Sequence, residues 1–352
     1  MKRSLHIAFI AATTFSIAAC TKQIIAPTPQ VPDASRSYIF FEPEVVTSDN
    51  TKATILTGET LPTAVGTAFG VIGYHGTISL FGAPTPSNKG IAQVARSVDG
   101  VFEYSPLVAW QGADNHDFYA FYPYNLNAYV SHNVNNTTNL ANPYITYSQP
   151  TANDATMVDL LTAKTSVTKA AGDEVAIKFY HRLWALDVVI TNGQTEGIDP
   201  DDQVTNAPIL TIKSVSVTVE NFPTGAQIYL NKDHSPGLVL NTATNKYTYT
   251  INPKATNGDV LANSGETATA TYGSLLFLPI TAGTFKYSLE ITYLDSRGVE
   301  STFSTGTAKT INKAFEAGKR YKFTVNKTND TFVIGTLTPT DWTDQDVNHE
   351  FN

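Results

Sequence analysis

Thr284-Phe285-Lys286-Tyr287-Ser288-Leu289-Glu290-Ile291-Thr292-Tyr293 alternates large apolar and polar residues along its whole length. Phe285, Tyr287, Leu289, Ile291 and Tyr293 share one parity; Lys286, Ser288, Glu290 and Thr292 share the other. Successive side chains of an extended chain point to opposite faces, so this stretch reads as a strand with one face in a core and one in water. A helix would need apolar residues three and four apart instead. Asp295-Ser296-Arg297-Gly298 then reads as a hairpin turn into a second strand over 299–304.

The same period recurs outward from this hairpin. Val215, Val217 and Val219 alternate with Ser214, Ser216 and Thr218; Tyr247, Tyr249 and Ile251 repeat the pattern, as do Tyr321, Phe323 and Val325. A last strand-like stretch carries Phe332 and Ile334, with Trp342 beyond it. Glu174 to Thr191 is the longest strand-like run, and its apolar phase slips after His181-Arg182, from Val175, Ile177 and Phe179 to Trp184, Leu186, Val188 and Ile190. Such a slip predicts a bulge, a bend between sheets, or two strands joined by a tight corner. Nearer the start, 68–74, 101–104, 117–124 and 144–147 read as short strands between Gly, Pro and Asn clusters, and 155–162 reads as helix or strand. The fold class is therefore all-β, with many short strands spaced as in a sandwich or barrel. At roughly 100–200 residues per domain, the 352 residues suggest two domains. The small-residue, polar stretch 166–173 is where the division is expected, giving domains over 38–170 and 171–352.

Composition agrees with an extracellular β protein. Charged residues make up 15% of the chain, against the ~25% usual in soluble domains, and β-branched and aromatic residues suit pleated surfaces. The formal charge is −8, and no basic stripe offers itself to nucleic acid.

The first residues carry an address. Lys2 and Arg3 precede an apolar run from Leu5 to Ala19, which makes residues 1–19 a secretory signal. About fifteen apolar residues fall short of the ~20 that a spanning helix needs. Ile17-Ala18-Ala19-Cys20 resembles the lipobox of bacterial lipoproteins, which implies cleavage between Ala19 and Cys20 and acylation of the Cys20 thiol. Cys20 is the one cysteine, so no internal disulfide and no cysteine nucleophile remains. Residues 20–37 hold Pro27, Pro29 and Pro32 in a polar run and read as an extended tether. Tyr38 to Val46 is then β-prone with Pro43 inside it; proline cannot donate to a ladder, so this is an edge strand or a loosely held one. A polar loop around Lys52 follows.

Chemistry-bearing patterns are sparse. None of the seven histidines shares metal-ligand spacing with another. His116 lies between Asp114 and Asp117, which fits a turn better than a catalytic imidazole; His181, at the phase slip, fits a buried histidine bonded to backbone. Asp199, Asp201 and Asp202 lack the glycine and terminal glutamate of a calcium loop and read as solvated. No nucleophile elbow, phosphate loop or dinucleotide fingerprint occurs. Tyrosine and tryptophan are frequent enough for a sugar platform, but most fall on inward positions. No enzyme activity, metal or cofactor is expected.

Several stretches, taken in order, resemble the fimbrillin-like proteins of Bacteroidetes. Lys178-Phe179-Tyr180-His181-Arg182-Leu183-Trp184 resembles that family's F-x-H-x-L strand. Phe118 to Pro123, Asp159-Leu160-Leu161-Thr162-Ala163, Phe277-Leu278-Pro279 and Gly318-Lys319-Arg320-Tyr321-Lys322-Phe323 with Trp342 resemble further steps of its pattern. The resemblance implies two tandem β-sandwich domains of transthyretin-like topology. It implies a subunit of surface fimbriae, anchored to the outer membrane through lipid on Cys20, with other fimbrial subunits as partners and no nucleic acid. It also implies that a protease removes the first strand and that a neighbour's strand fills the groove. The removable strand would carry Tyr38, Ile39, Phe41 and Val45; the cut would fall at Lys52-Ala53, where Lys52 stands in place of the family's usual arginine. Phe332, Ile334 and Trp342 are the matching candidates on the donor side. The alternative is a glycan-binding surface lipoprotein that does not polymerise.

Overall fold

The computed structural model describes residues 36–45, 61, 64–82, 90–131, 143–152, 157–169, 174–194, 209–230, 238–242, 245–253, 255–262, 268–280, 284–329, 331–335 and 337–341. Among them the regular structure is strand, apart from one 3-10 helix at Tyr124–Tyr129. In chain order the first strands are β1 (Phe40–Val45), β2 (Ala68–His75), β3 (Ile78–Ser79), β4 (Ile91–Arg96), β5 (Phe102–Glu103), β6 (His116–Tyr122), β7 (Val130–Ser131) and β8 (Tyr144–Ser148). Then come β9 (Leu161–Val167), β10 (Glu174–His181), β11 (Trp184–Asn192), β12 (Ile209–Glu220), β13 (Pro223–Tyr229), β14 (Leu238–Thr242), β15 (Lys246–Ile251) and β16 (Asp259–Ala262). The last are β17 (Ala268–Phe277), β18 (Thr284–Leu294), β19 (Glu300–Ser304), β20 (Lys309–Asn312), β21 (Lys319–Lys327), β22 (Phe332–Ile334) and β23 (Thr338–Asp341).

Four sheets result. The first has the order β1-β10-β9-β6-β2-β4-β5, with β3 on β2. Its centre is buried on both faces, which is why β2 reads as an almost unbroken apolar run. Phe69 and Val71 of β2 and Phe118 and Ala120 of β6 face one core; Ile72 and Tyr74, Tyr119 and Phe121 face another. Gly70 is required where the faces crowd, since a Cβ there would lie 2.1 Å from the Phe121 ring. The β1–β10 ribbon covers the first core with Ile39, Phe41, Val45, Val175, Ile177 and Phe179.

The second and third sheets, β17-β11-β21-β22 with β23, and β15-β12-β18-β19 with β16 and β20, face each other. The strand that opened the sequence reading, β18, buries Phe285, Tyr287, Leu289 and Ile291 between them. Trp184 sits at the centre, fully buried, 4.4 Å from the Phe315 ring and 4.9 Å from the Phe277 ring. Its indole N–H donates to the Leu278 carbonyl at 2.8 Å. The turn at 295–298 forms as expected: Asp295 Oδ1 accepts from the amides of Arg297 and Val299, both at 2.9 Å.

The phase slip at His181-Arg182 marks a change of sheet. β10 ends in the first sheet and β11 begins in the second. The corner is pinned on both sides: the Arg182 amide donates to the Leu160 carbonyl and the Gly318 amide to the Leu183 carbonyl, each at 2.9 Å. Strand pairing therefore runs across the boundary expected between 170 and 171. β10 pairs with β9 and β1, and β9 (Leu161–Val167) reaches into the first residues of the stretch 166–173. The fourth sheet, β14-β13-β8-β7, joins strands from both sides of that boundary, with Gln227 opposite Thr146 and Ile228 opposite Ile145. The ambiguous stretch 155–162 has no helix among its described residues; it leads into β9 at Leu161.

Candidate functional site

β1 is the element on which the fimbrial expectation turns. It runs parallel to β10, from Phe40 opposite Glu174 to Val45 opposite Phe179, and ends its sheet. Pro43, which has no N–H to give, thus sits in an edge strand as expected. The strand alternates cleanly. Ile39, Phe41 and Val45 are buried, while Phe40 is 41% exposed. At roughly 1.5–3 kcal/mol for each fully buried side chain, these three contribute more to holding β1 than its surface ion pair does. That pair, Lys178 Nζ to Glu44 Oε2 at 3.6 Å, is about half exposed on both sides, and such pairs are worth ~0–1 kcal/mol.

The start of the strand is held by a second segment. Tyr38 bridges Ala109 in antiparallel fashion. The Ile39 amide donates to the Val108 carbonyl at 3.0 Å, and the Trp110 amide to the Ser37 carbonyl at 3.1 Å. The Tyr104 hydroxyl donates to the Ile39 carbonyl at 2.8 Å and accepts from the Val108 amide at 3.3 Å. Burial pushes the Tyr104 hydroxyl up to about 12, against a weaker opposing pull from the Val108 bond. It therefore stays a donor throughout the neutral range. Tyr104 was not singled out in the sequence, because nothing local marks a tyrosine before Ser105-Pro106 as a partner of a strand 65 residues away.

At the other end of the chain, β22 pairs antiparallel with β21, Phe332 opposite Lys327 and Ile334 opposite Val325. Phe332 is buried in this chain's own core, its ring 5.0 Å from both Tyr293 and Phe303. Ile334 is half-buried and Val333 is 49% exposed. The structure thus places Tyr38, Ile39, Phe41 and Val45 together on one edge, and Phe332 and Ile334 on an edge of a different sheet. Ala19, Cys20, Lys52, Ala53 and Trp342 lie outside the described residues, as do Asp199, Asp201 and Asp202.

Both histidines are buried. His116 is tied to backbone: its Nδ1 donates to the Asp114 carbonyl at 2.9 Å and its Nε2 accepts from the Gln111 amide at 3.2 Å. Burial lowers its pKa, opposed by the Asp114 carbonyl, so it stays a neutral packing group stacked on His75. His181 instead lies with Nδ1 2.8 Å from Asp159 Oδ2, both buried. Beside it the fully buried Arg182 donates through Nε to Thr162 Oγ1. A second buried polar group sits on the neighbouring sheet, where Asp187 accepts from Ser274 Oγ at 2.6 Å with Arg320 Nε 3.4 Å away. Asp187 and Arg320 are thus paired, as buried charges have to be. Among the described residues no group of three His, Asp or Glu side chains is disposed to hold a metal. Among the residues whose side chains are described, no Trp or Tyr is exposed; the cross-strand pair Tyr144–Tyr229 is half-buried, with its rings tilted at 62°.

The described residues form an all-β fold of stacked sheets in which β1 is an edge strand. The fimbrillin-like family model matches residues 51–342, and the chain belongs to that family. It is a structural family member, not an enzyme. The match begins after β1. No curated protein sequence matches the chain. A fimbrial protein of Bacteroides vulgatus shares the fold at 15% identity, with 87% of this chain and 99% of that one aligned and a TM-score of 0.52. A protein of Bacteroides ovatus provisionally assigned to cell adhesion does so at 15% identity, over 88% and 99%, also with a TM-score of 0.52.

Proposed function

We propose that this protein is a subunit of adhesive surface fimbriae, exported as a precursor and anchored to the outer membrane through lipid on Cys20. A protease that cuts at Lys52-Ala53 frees β1, and a strand from another subunit takes its place. The observation that supports this reading is the seat of β1. Its backbone pairs with β10 along one edge only, while Ile39, Phe41 and Val45 fill the first core. Withdrawing it uncovers an apolar groove together with a row of unpaired β10 backbone groups. An added strand satisfies both at once, ladder bonds supplying affinity and alternate side chains supplying fit. Each ladder bond contributes ~0.5–1.5 kcal/mol net, and the apolar pockets add to that.

On the donor side the reading assigns β22 and the residues that follow it, through Ile334 and Trp342. Drawing β22 out would uncover Phe332, so donation competes with this chain's own packing. The glycan-binding alternative would be favoured by an exposed planar row of aromatic rings, and the tilted Tyr144–Tyr229 pair does not provide one. Mild trypsin treatment of the purified precursor tests the proposal. Loss of the segment before Ala53 followed by a concentration-dependent ladder of oligomers is expected. A product that is trimmed yet stays monomeric at every concentration overturns it.

A further inference from the structure

Phe41 enters a pocket built almost wholly of rings. Its centroid is 5.3 Å from Phe118, 5.5 Å from Tyr104 and 6.2 Å from Phe81, the closest of these contacts edge-to-face at 79°. Phe81 and Tyr104 meet each other at 5.7 Å and 90°. Such edge contacts contribute beyond simple area burial, and an aliphatic occupant forfeits them. The space for the rings is made by Gly73 in β2: a Cβ there would stand 2.8 Å from Phe81 and 3.1 Å from Phe118. The register is fixed two residues earlier. Ile39 has its amide bonded to Val108 and its carbonyl bonded to the Tyr104 hydroxyl, so both of its backbone groups are held. Tyr104 therefore belongs to both devices, as a wall of the pocket and as the donor that sets the register.

We propose that this ring-lined pocket and the Tyr104 hydroxyl together select the segment that replaces β1. Its chemistry follows from the seat. The incoming segment is an extended stretch of a second protein chain with an aromatic side chain two residues after the position whose carbonyl accepts from the Tyr104 hydroxyl. A branched aliphatic residue, for the place of Val45, comes four residues after that ring. This inference rests on the strand-replacement reading above and adds to it a requirement for one residue type at one register position. Phe40, which points outward, is free to vary.

The full-length protein, cut with trypsin, is incubated with an excess of a fluorescent peptide carrying the sequence of residues 37–46, and binding is read by anisotropy. The native peptide is expected to bind. The Phe41→Ala peptide should bind roughly a hundredfold more weakly or worse, as expected for deleting a buried ring. The Phe41→Tyr peptide should retain most of the affinity, and the Phe40→Ala peptide should match the native one. A peptide with the ring moved by two positions, Ile39→Phe with Phe41→Ile, should bind as poorly as Phe41→Ala. Its deficit should shrink in Tyr104→Phe protein, where the register donor is gone. Equal binding of native, Phe41→Ala and displaced-ring peptides overturns the selection proposal and leaves strand replacement standing. Failure of every peptide to enter after the segment before Ala53 is lost overturns both.

Discussion

Two edge strands, β1 and β22, close two sheets in different ways. β22 follows β21 through a tight turn, in which the Thr328 amide donates to the Thr331 carbonyl at 2.8 Å, and it folds back antiparallel. Its pairing is local and cheap in loop entropy, so a displaced β22 rezips onto its own neighbour. β1 runs parallel to a strand more than a hundred residues further along, and parallel pairs need such long connections. Once the chain between them is cut, nothing local returns β1 to its place. Its ladder to β10, its buried side chains and the bonds of residues 37–39 to Tyr104, Val108 and Trp110 then hold it without a covalent tether. The comparison teaches that how readily an edge strand returns to its place depends on connectivity as much as on contact strength: on the proposed strand-replacement reading, the less local strand, β1, is the one to be exchanged.

The largest effect that can break this contrast is at the rings. Phe41→Ala in the full-length protein should lower unfolding stability by about 4 kcal/mol in a urea titration, within the ~3–5 kcal/mol range for a buried Phe. Phe332→Ala should cost about 3 kcal/mol, because a three-residue strand can settle into the space it leaves. Equal susceptibility of the N-terminal segment to protease in the two variants would erase the distinction between the strands, since only Phe41→Ala should speed its release.

A smaller effect is expected at the latch. Tyr104→Phe keeps the ring and removes the donor, leaving the Ile39 carbonyl buried without it, and should cost about 1–2 kcal/mol. The same bond makes an alkaline prediction. Burial raises the hydroxyls of Tyr74, Tyr104 and Tyr119 to about 12 in the folded protein. Between pH 10 and about 12 the unfolded chain loses these protons and the folded chain keeps them, so the unfolded state binds fewer protons and stability falls as pH rises. Below pH 10 this contribution is fully present. The midpoint of urea unfolding should therefore drop above pH 10, less steeply for Tyr104→Phe than for the parent. A flat midpoint to pH 12 would count against the buried placement.

The smallest effect is at the surface of the same ribbon. Glu44→Ala removes the partner of Lys178 and should change stability by less than about 0.5 kcal/mol. A larger loss, abolished by salt, would mean that charge rather than apolar fit seats β1.

Much of the architecture was legible because side-chain alternation is a local property. Phe285 through Tyr293 had to be a strand with one buried face wherever it packed, and Asp295 through Gly298 had to turn. The slip after His181-Arg182 allowed a bulge, a bend between sheets or a tight corner between two strands, and the structure shows a change of sheet there. The polar stretch 166–173, where the division was expected, begins within the last residues of β9, a strand that buries only its first half. His181 is buried as expected, and the sequence gave no sign that Asp159 lies beside it.

What the residues determined by themselves was the longer alternating strands, such as β12, β15, β18 and β21, their inward faces, and the edge character of a strand containing Pro43. Tertiary structure alone decided that β1 lies parallel to β10, that β8 pairs with β13, and that Tyr104 reaches the Ile39 carbonyl. Alternation specifies which face of a strand is apolar but leaves every apolar face compatible with many partners. The choice among them is made by which edges remain unpaired and which rings fill the space between sheets, and both depend on segments far apart in the chain.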